Sequence, residues 1–180
     1  MSGIIGLTPD MRSGIIGGFN PEYDVWNFEA ASDSTAGFIV DNLARQESNG
    51  QTYLGKGMTE SSGVFTFPSI GTWDVRATAL FESQNEHRWM LIRIARDTTG
   101  AFSGSESILA CGFTTMPNSD SDAVQGTCTV NAVIGISDLA HKVKFHWQQE
   151  VTDAGSLVGY ADGTRNQTYF TFQKLSPSIQ

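Results

Sequence analysis

From Tyr23 onward the apolar residues fall at every second position and not at every third or fourth, which is the spacing of sheet. The pattern is clearest late in the chain. Cys128, Val130, Ala132 and Ile134 form one stripe, Val143, Phe145 and Trp147 form another, and Lys142, Lys144 and His146 alternate with the second. An antiparallel sheet with one face buried and one face wet produces this alternation. Turn clusters such as Ser48-Asn49-Gly50, Thr98-Thr99-Gly100 and Ala161-Asp162-Gly163 punctuate it. Together they predict strands at 24–29, 37–41, 51–54, 63–67, 72–82, 88–96, 106–112, 126–134, 142–150 and 167–175. So many short strands predict an all-β fold, a two-sheet antiparallel jelly-roll sandwich.

The stretch from Ser62 to Val75 is the most informative. Phe65 and Phe67 share a face at period two, and Pro68 withholds an N–H and so ends the ladder. Gly71 supplies freedom at the bend, after which Trp73, Val75, Ala77, Ala79 and Phe81 line the next strand. Two strands meeting at a fixed corner are predicted, with Phe65, Phe67, Pro68, Gly71 and Trp73 as the core motif.

The N-terminus has a different pattern. Ser2-Gly3-Ile4-Ile5-Gly6 recurs as Ser13-Gly14-Ile15-Ile16-Gly17, each copy a pair of β-branched side chains framed by glycines. Such a segment builds no core alone, and its Ile pairs are a liability unless inserted into grooves on something else. The expectation is an extended anchoring arm over 1–22, gripping a larger assembly through Ile4, Ile5, Ile15 and Ile16 or, as the alternative, folded back on its own domain, followed by one domain over 23–180.

Charge narrows the partners. A formal net charge of -8 disfavours nucleic acid and anionic membrane, because phosphate binding needs clustered Lys and Arg. Arg88, Arg93 and Arg96 are the only local basic cluster and are expected to decorate the outer side of a strand. No apolar run approaches the ~20 residues of a membrane span. The N-terminus lacks the basic region and apolar core of a secretory signal, so synthesis in a cytosol is expected. Cys111 and Cys128 are expected to end one strand and begin the next, where they form either a disulfide worth about 3 kcal/mol or, as the absence of an export signal favours, two buried thiols.

The central block resembles a known family. Gly63-Val64-Phe65-Thr66-Phe67-Pro68 followed by Gly71-Thr72-Trp73-Asp74-Val75 is similar to the Gly-x-Phe-x-x-Pro-x-x-Gly-x-Tyr block of the tumour-necrosis-factor-like and complement-globular-head jelly rolls. The order of the remaining segments agrees, with Val143-Lys144-Phe145-His146 at the penultimate strand and Thr168-Tyr169-Phe170-Thr171-Phe172 at the closing one. Trp73 stands where a tyrosine is usual, which keeps the aromatic body in the core and drops a hydroxyl. The resemblance implies a homotrimer formed through one sheet, and binding or assembly, not catalysis. The glycine-framed Ile arm resembles N-terminal segments of bacteriophage virion proteins, where this jelly roll also occurs on heads and tail fibres.

Candidate chemistry is sparse. Gly50-Gln51-Thr52-Tyr53-Leu54-Gly55-Lys56-Gly57 nearly spells a phosphate loop, but Gly57 replaces the Ser or Thr that must hold Mg²⁺. Asn118, Asp120 and Asp122 alternate like the start of a calcium loop, yet Thr129 stands where a bidentate Glu is required. That leaves a solvated turn or an irregular Ca²⁺ site. His87, His141 and His146 are expected on separate turns or on an outer face, with no zinc spacing among them. No catalytic residue, metal site or cofactor is expected. Trp26, Trp73, Trp89 and Trp147 read as core or trimer interface and not as a sugar platform, with Trp89, opposite Met90, Ile92 and Ile94, the first of them to test as an exposed contact, alongside the candidates Asn118, Tyr160 and Asp162. The function expected is a non-enzymatic phage virion protein, a trimeric capsid decoration protein held by its arm to other virion proteins. The alternative is a receptor-recognising head of a tail fibre that contacts host glycans through loops around Ser103, Asn118 and Asp162.

Overall fold

The structure, a computed structural model, is described for residues 21–47, 51–117, 123–150, 155–159 and 167–177, and among them the backbone forms twelve strands and no helix. In chain order these are β1 (Tyr23–Phe28), β2 (Gly37–Phe38), β3 (Leu43–Arg45), β4 (Thr59–Ser61), β5 (Val64–Thr66), β6 (Gly71–Ser83), β7 (His87–Asp97), β8 (Ser107–Met116), β9 (Val124–Ile136), β10 (Lys142–Gln149), β11 (Gly155–Val158) and β12 (Tyr169–Ser176). They make two antiparallel sheets. In the first, β6 pairs with β9 along one edge and with β12 and β11 end to end along the other, and β1 and β3 follow beyond β12. The second runs β8, β7, β10, β5, β4, with β2 continuing beside β10. The chain stays within one sheet only between β4 and β5, β7 and β8, and β11 and β12, and changes sheet at every other connection. This is the expected jelly-roll sandwich.

Period-two patterning explains why the sheets face one another. Along β6 the residues Trp73, Val75, Ala77, Ala79 and Phe81 are at most 1% exposed while those between them reach solvent. In β10, Val143, Phe145 and Trp147 are buried and Lys142, Lys144 and His146 look outward. The inner faces close through aromatic rings. Phe145 of the second sheet stacks on Phe170 of the first with centroids 4.1 Å apart, and Phe65 meets Phe172 at 4.9 Å and Trp26 at 5.4 Å. All five are buried, so each contributes both apolar area and ring geometry.

The corner between β5 and β6 is the predicted one, and it carries the chain from one sheet to the other. Gly71 has φ of 139°, and a Cβ there would lie 2.3 Å from the carbonyl oxygen of Ser176, so only glycine fits. Trp73 answers the loss of a tyrosine hydroxyl in its own way. Its indole N–H donates to the Ser69 carbonyl at 3.2 Å, while Phe67 packs on its ring at 5.2 Å.

Several elements differ from the sequence expectation. The strand expected at 51–54 is absent, and only Leu54 pairs, through an isolated bridge to Tyr23. Tyr53 instead lies against the guanidinium of Arg45 at 4.5 Å. Arg45 in turn donates to the buried Asp24 at 3.0 Å, and Asp24 also accepts from the Trp26 indole at 3.0 Å and the Met58 amide at 2.7 Å. This charge-centred knot replaces a ladder as the means of holding the segment before β4. Three strands, β3, β4 and β11, have no counterpart in the predicted set; each is too short to display a period. The cysteines sit mid-strand in β8 and β9, not at strand ends. Both are free, Cys128 buried and Cys111 exposed, so they form neither a disulfide nor a pair of buried thiols. Burial in an apolar setting pushes the Cys128 thiol up to about 11.

Phe172→Ala would remove a ring that touches Phe65, Phe67 and Phe145 across the sandwich. The expected cost is about 3–5 kcal/mol of stability in urea unfolding. A loss under ~1 kcal/mol would mean that this seam does not hold the sheets.

Candidate recognition surface

The outward positions of the second sheet follow from the register. Opposite Leu91 of β7 stand Phe113 of β8 and Gln148 of β10. In the next row Arg93 stands between Cys111 and His146, with Phe38 of β2 beyond. A bulge in the β7–β8 pairing between His87 and Met90 adds Arg88 and Trp89 to this face. The bulge also corrects an expectation. His87 is not on a turn or an outer face but fully buried, with Nε2 3.0 Å from the Ser83 hydroxyl. An extra residue in one strand reverses the side-chain direction on one side of it, which period-two counting cannot anticipate. Arg96 departs as well. It shares a row with the buried Val143, and its Nε is buried, so only Arg88 and Arg93 of the basic cluster decorate the outer side.

Arg88, Trp89, Leu91, Arg93, Phe113 and Gln148 together line an open groove of about 500 Å³. Phe113 is 67% exposed, the most of any large apolar residue described. Two of the groove's three nearby cationic groups are neutralised. The guanidinium of Arg88 forms a close ion pair with Glu150, whose carboxylate also accepts from the Arg88 amide at 2.7 Å. Hydrogen bonding from Arg88 holds the Glu150 carboxyl below its ordinary value. Burial, then the charge of Arg93, lowers the His146 imidazole, which is therefore neutral at pH 7. Arg93 itself has no ion pair among the described residues.

Beyond the groove the same face carries Lys144, whose ammonium lies 5.2 Å from the Phe38 ring and 5.3 Å from the Phe102 ring. Phe102 belongs to the loop between β7 and β8, and Asp97 organises that loop. The buried Asp97 carboxylate accepts from the amides of Thr99 (2.6 Å), Gly100 (2.9 Å) and Phe102 (3.0 Å). It also accepts from the hydroxyls of Thr99 (2.6 Å) and Ser105 (3.0 Å). These donors, the Thr99 hydroxyl foremost, hold Asp97 well below the usual carboxylate range. Ser103 is exposed in this loop, outside the groove.

The outward face of the first sheet has another chemistry. Thr78 and Thr129 share a hydrogen bond at 3.0 Å across β6 and β9, and Thr127, Asn131, Thr171 and Gln173 surround them on the same side. The few charges are satisfied within the face. Arg76 pairs with Asp74 at 3.3 Å, and Glu82 accepts from Gln125 at 2.9 Å. Val133, 62% exposed, is its most prominent apolar residue.

Of the residues predicted to recognise a partner, Trp89 lies in the groove; Asn118, Tyr160 and Asp162 fall outside the described residues, as do Asp120, Asp122 and the arm residues Ile4, Ile5, Ile15 and Ile16. Trp26, Trp73 and Trp147 are core, as expected. Among the described residues no group of three or more His, Cys, Asp or Glu is placed to hold a metal ion. Sequence reading missed Leu91, Phe113 and Gln148. The available signal was the period-two run Leu109, Cys111, Phe113, which continues past the predicted strand end at Gly112.

No protein-family model and no curated protein matches the sequence. Solved structures do match in fold. Eiger TNF from S. frugiperda superposes with a TM-score of 0.65 at 10% identity, over 90% of this chain and 97% of that one. Murine APRIL superposes with a TM-score of 0.59 at 12% identity, over 86% and 99% respectively. The fold is thus the TNF-like jelly roll, reached by a sequence only 10% and 12% identical to those proteins.

Asp97 provides a pH test of the loop. Its folded-state value is lowered, so its stabilising contribution is present above the unfolded value near about 4 and is lost as pH falls through the folded one. Asp97→Asn should lower the melting temperature at pH 7, and the gap from the wild-type protein should narrow progressively below pH ~4. A gap that stays constant down to pH ~2 would contradict the assignment.

Proposed function

We propose that this protein is a non-enzymatic, homotrimeric structural protein of a phage particle, a capsid decoration protein that assembles through the outer face of its first sheet and is anchored by residues 1–22. The observation that carries the assembly reading is the chemical contrast between the two outer faces. The first sheet presents Thr, Asn and Gln side chains, with Arg76 paired to Asp74 and the Glu82 carboxylate, hydrogen-bonded by Gln125, out at the end of β6, so burying the centre of the face against copies of itself leaves no charge unpaired. The second sheet keeps an unpaired Arg93 beside exposed aromatic groups, which self-burial would penalise. The TNF-like fold supports the same reading, since the sequence resemblance to that family implies trimers. The arm reading rests on the repeated Ser-Gly-Ile-Ile-Gly segments, whose paired Ile side chains need a partner's grooves. The protein would then reside in the virion, assembled in the host cytoplasm, and its net charge of -8 disfavours nucleic acid and anionic membrane as partners.

A second reading, the receptor- or glycan-binding head of a tail fibre, is favoured by the groove on the second sheet. Trimerisation through the first sheet would leave that groove facing outward, so the two readings differ in where the protein sits and not in how it assembles.

Native mass measurement should give three times the 19.5 kDa chain mass. Thr129→Arg together with Val133→Lys should shift it to monomer by placing unpaired charge in the interface. Glu22 is already tied to the domain, accepting from the Ser69 hydroxyl at 2.6 Å and lying 3.6 Å from the Lys174 ammonium. The arm is therefore tested by deleting residues 1–20. The truncated protein should remain trimeric and fail to incorporate into particles. A monomeric wild-type protein would overturn the assembly reading, and normal incorporation of the truncated one would overturn the arm.

A further inference from the structure

Which ligand the groove of the second sheet suits is decided by how little charge it leaves free. Arg88 is spent on Glu150 and His146 is neutral, so among the described residues Arg93 alone offers an uncompensated cation there. A polyanion such as a sulfated or phosphorylated chain gains affinity by engaging several cations at once, and a single guanidinium does not supply that. One carboxylate matches it, because the guanidinium fork takes both carboxylate oxygens in plane. The rest of the lining is not electrostatic. Trp89 and Phe113 present ring surface, Leu91 provides an apolar floor between them, and Gln148 offers an amide donor and acceptor with no partner among the described residues. Ring faces carry negative quadrupole charge and attract the weakly positive C–H face of a pyranose, while an amide beside them pairs with ring hydroxyls.

We propose that this groove binds a carboxylated sugar, a uronic or sialic acid residue of a surface glycan. Arg93 holds the carboxylate, Trp89 and Phe113 hold the apolar face of the ring, and Gln148 holds a hydroxyl. The assignment rests on the recognition reading above but moves the contact from the loops around Ser103, Asn118 and Asp162 to the sheet face itself. Its position on the strands β7, β8 and β10 makes the site rigid, since each lining residue except Arg88 and Trp89 sits in regular ladder register.

The test is titration of the full-length protein, followed by tryptophan fluorescence and calorimetry, with sialyllactose and trigalacturonate as carboxylated probes. Lactose serves as the neutral probe and a heparin hexasaccharide as the sulfated one. At least one carboxylated probe should bind, lactose should bind at least tenfold more weakly, and Arg93→Gln should weaken the carboxylated probe by about 10- to 100-fold. Phe113→Ala should also weaken it while leaving the melting temperature nearly unchanged, because its ring is exposed. Equal binding of lactose, preference for heparin, binding indifferent to Arg93→Gln, or no binding of either carboxylated probe would each overturn the proposal. Blocking of phage adsorption by the purified protein reads the recognition role separately. If blocking persists in Arg93→Gln, host recognition stands and only this site falls.

Discussion

The structure depends on the stacking of Phe145 on Phe170, with centroids 4.1 Å apart between sheets whose described strands form no ladder with one another. Sheets in a sandwich stand about 10 Å apart, a gap that a single aliphatic residue from each side fills poorly. Phe65, Phe67, Phe145, Phe170 and Phe172 fill it with rings, and Trp26, Trp73, Phe81 and Trp147 extend the seam to both ends. Because β5 and β10 supply one side and β12 the other, the first and last thirds of the described chain are locked together here. The small Ala77 and Ala79 in the middle of β6 make room for those rings instead of competing with them.

With the seam fixed inward, the alternate residues of each strand are fixed outward, and each sheet's outer surface is free to carry its own chemistry. The two surfaces have diverged. One is polar, carries the Asp74–Arg76 ion pair and the Glu82 carboxylate, and includes the exposed Val133; the other gathers Arg93, Lys144 and His146 among Phe113, Trp89, Phe38 and Phe102 on a chain whose net charge is -8. A protein that only needed solubility would gain nothing by such segregation. The proposed self-association on one face and recognition on the other would account for it.

Much of this is legible in the sequence. The two long strands β6 and β9, the stripe of β10 and the Pro68–Gly71 corner follow directly from period two and from the backbone limits of proline and glycine. What escaped did so for identifiable reasons. Short strands such as β3 and β11 are created by neighbours that offer free edges, Trp26 to Phe28 in one case and Leu80 to Ser83 in the other, and not by their own composition. His87 was misplaced by a bulge that leaves no compositional trace. Cys111 and Cys128 lie on adjacent strands in sequence, yet β8 and β9 belong to different sheets, with Cys111 turned to solvent and Cys128 to the core.

The sequence by itself determined which side of β6, β9 and β10 is buried, where the Pro68–Gly71 corner falls, and that the body is all sheet, because side-chain alternation and the conformational limits of single residues are local properties. Tertiary structure alone decided the groove and its charge. Arg93 becomes the unpaired cation only because Glu150, distant in sequence, returns beside Arg88, and because burial keeps His146 neutral. Pairings across strands set which charges are cancelled, and that partnership is invisible along the chain.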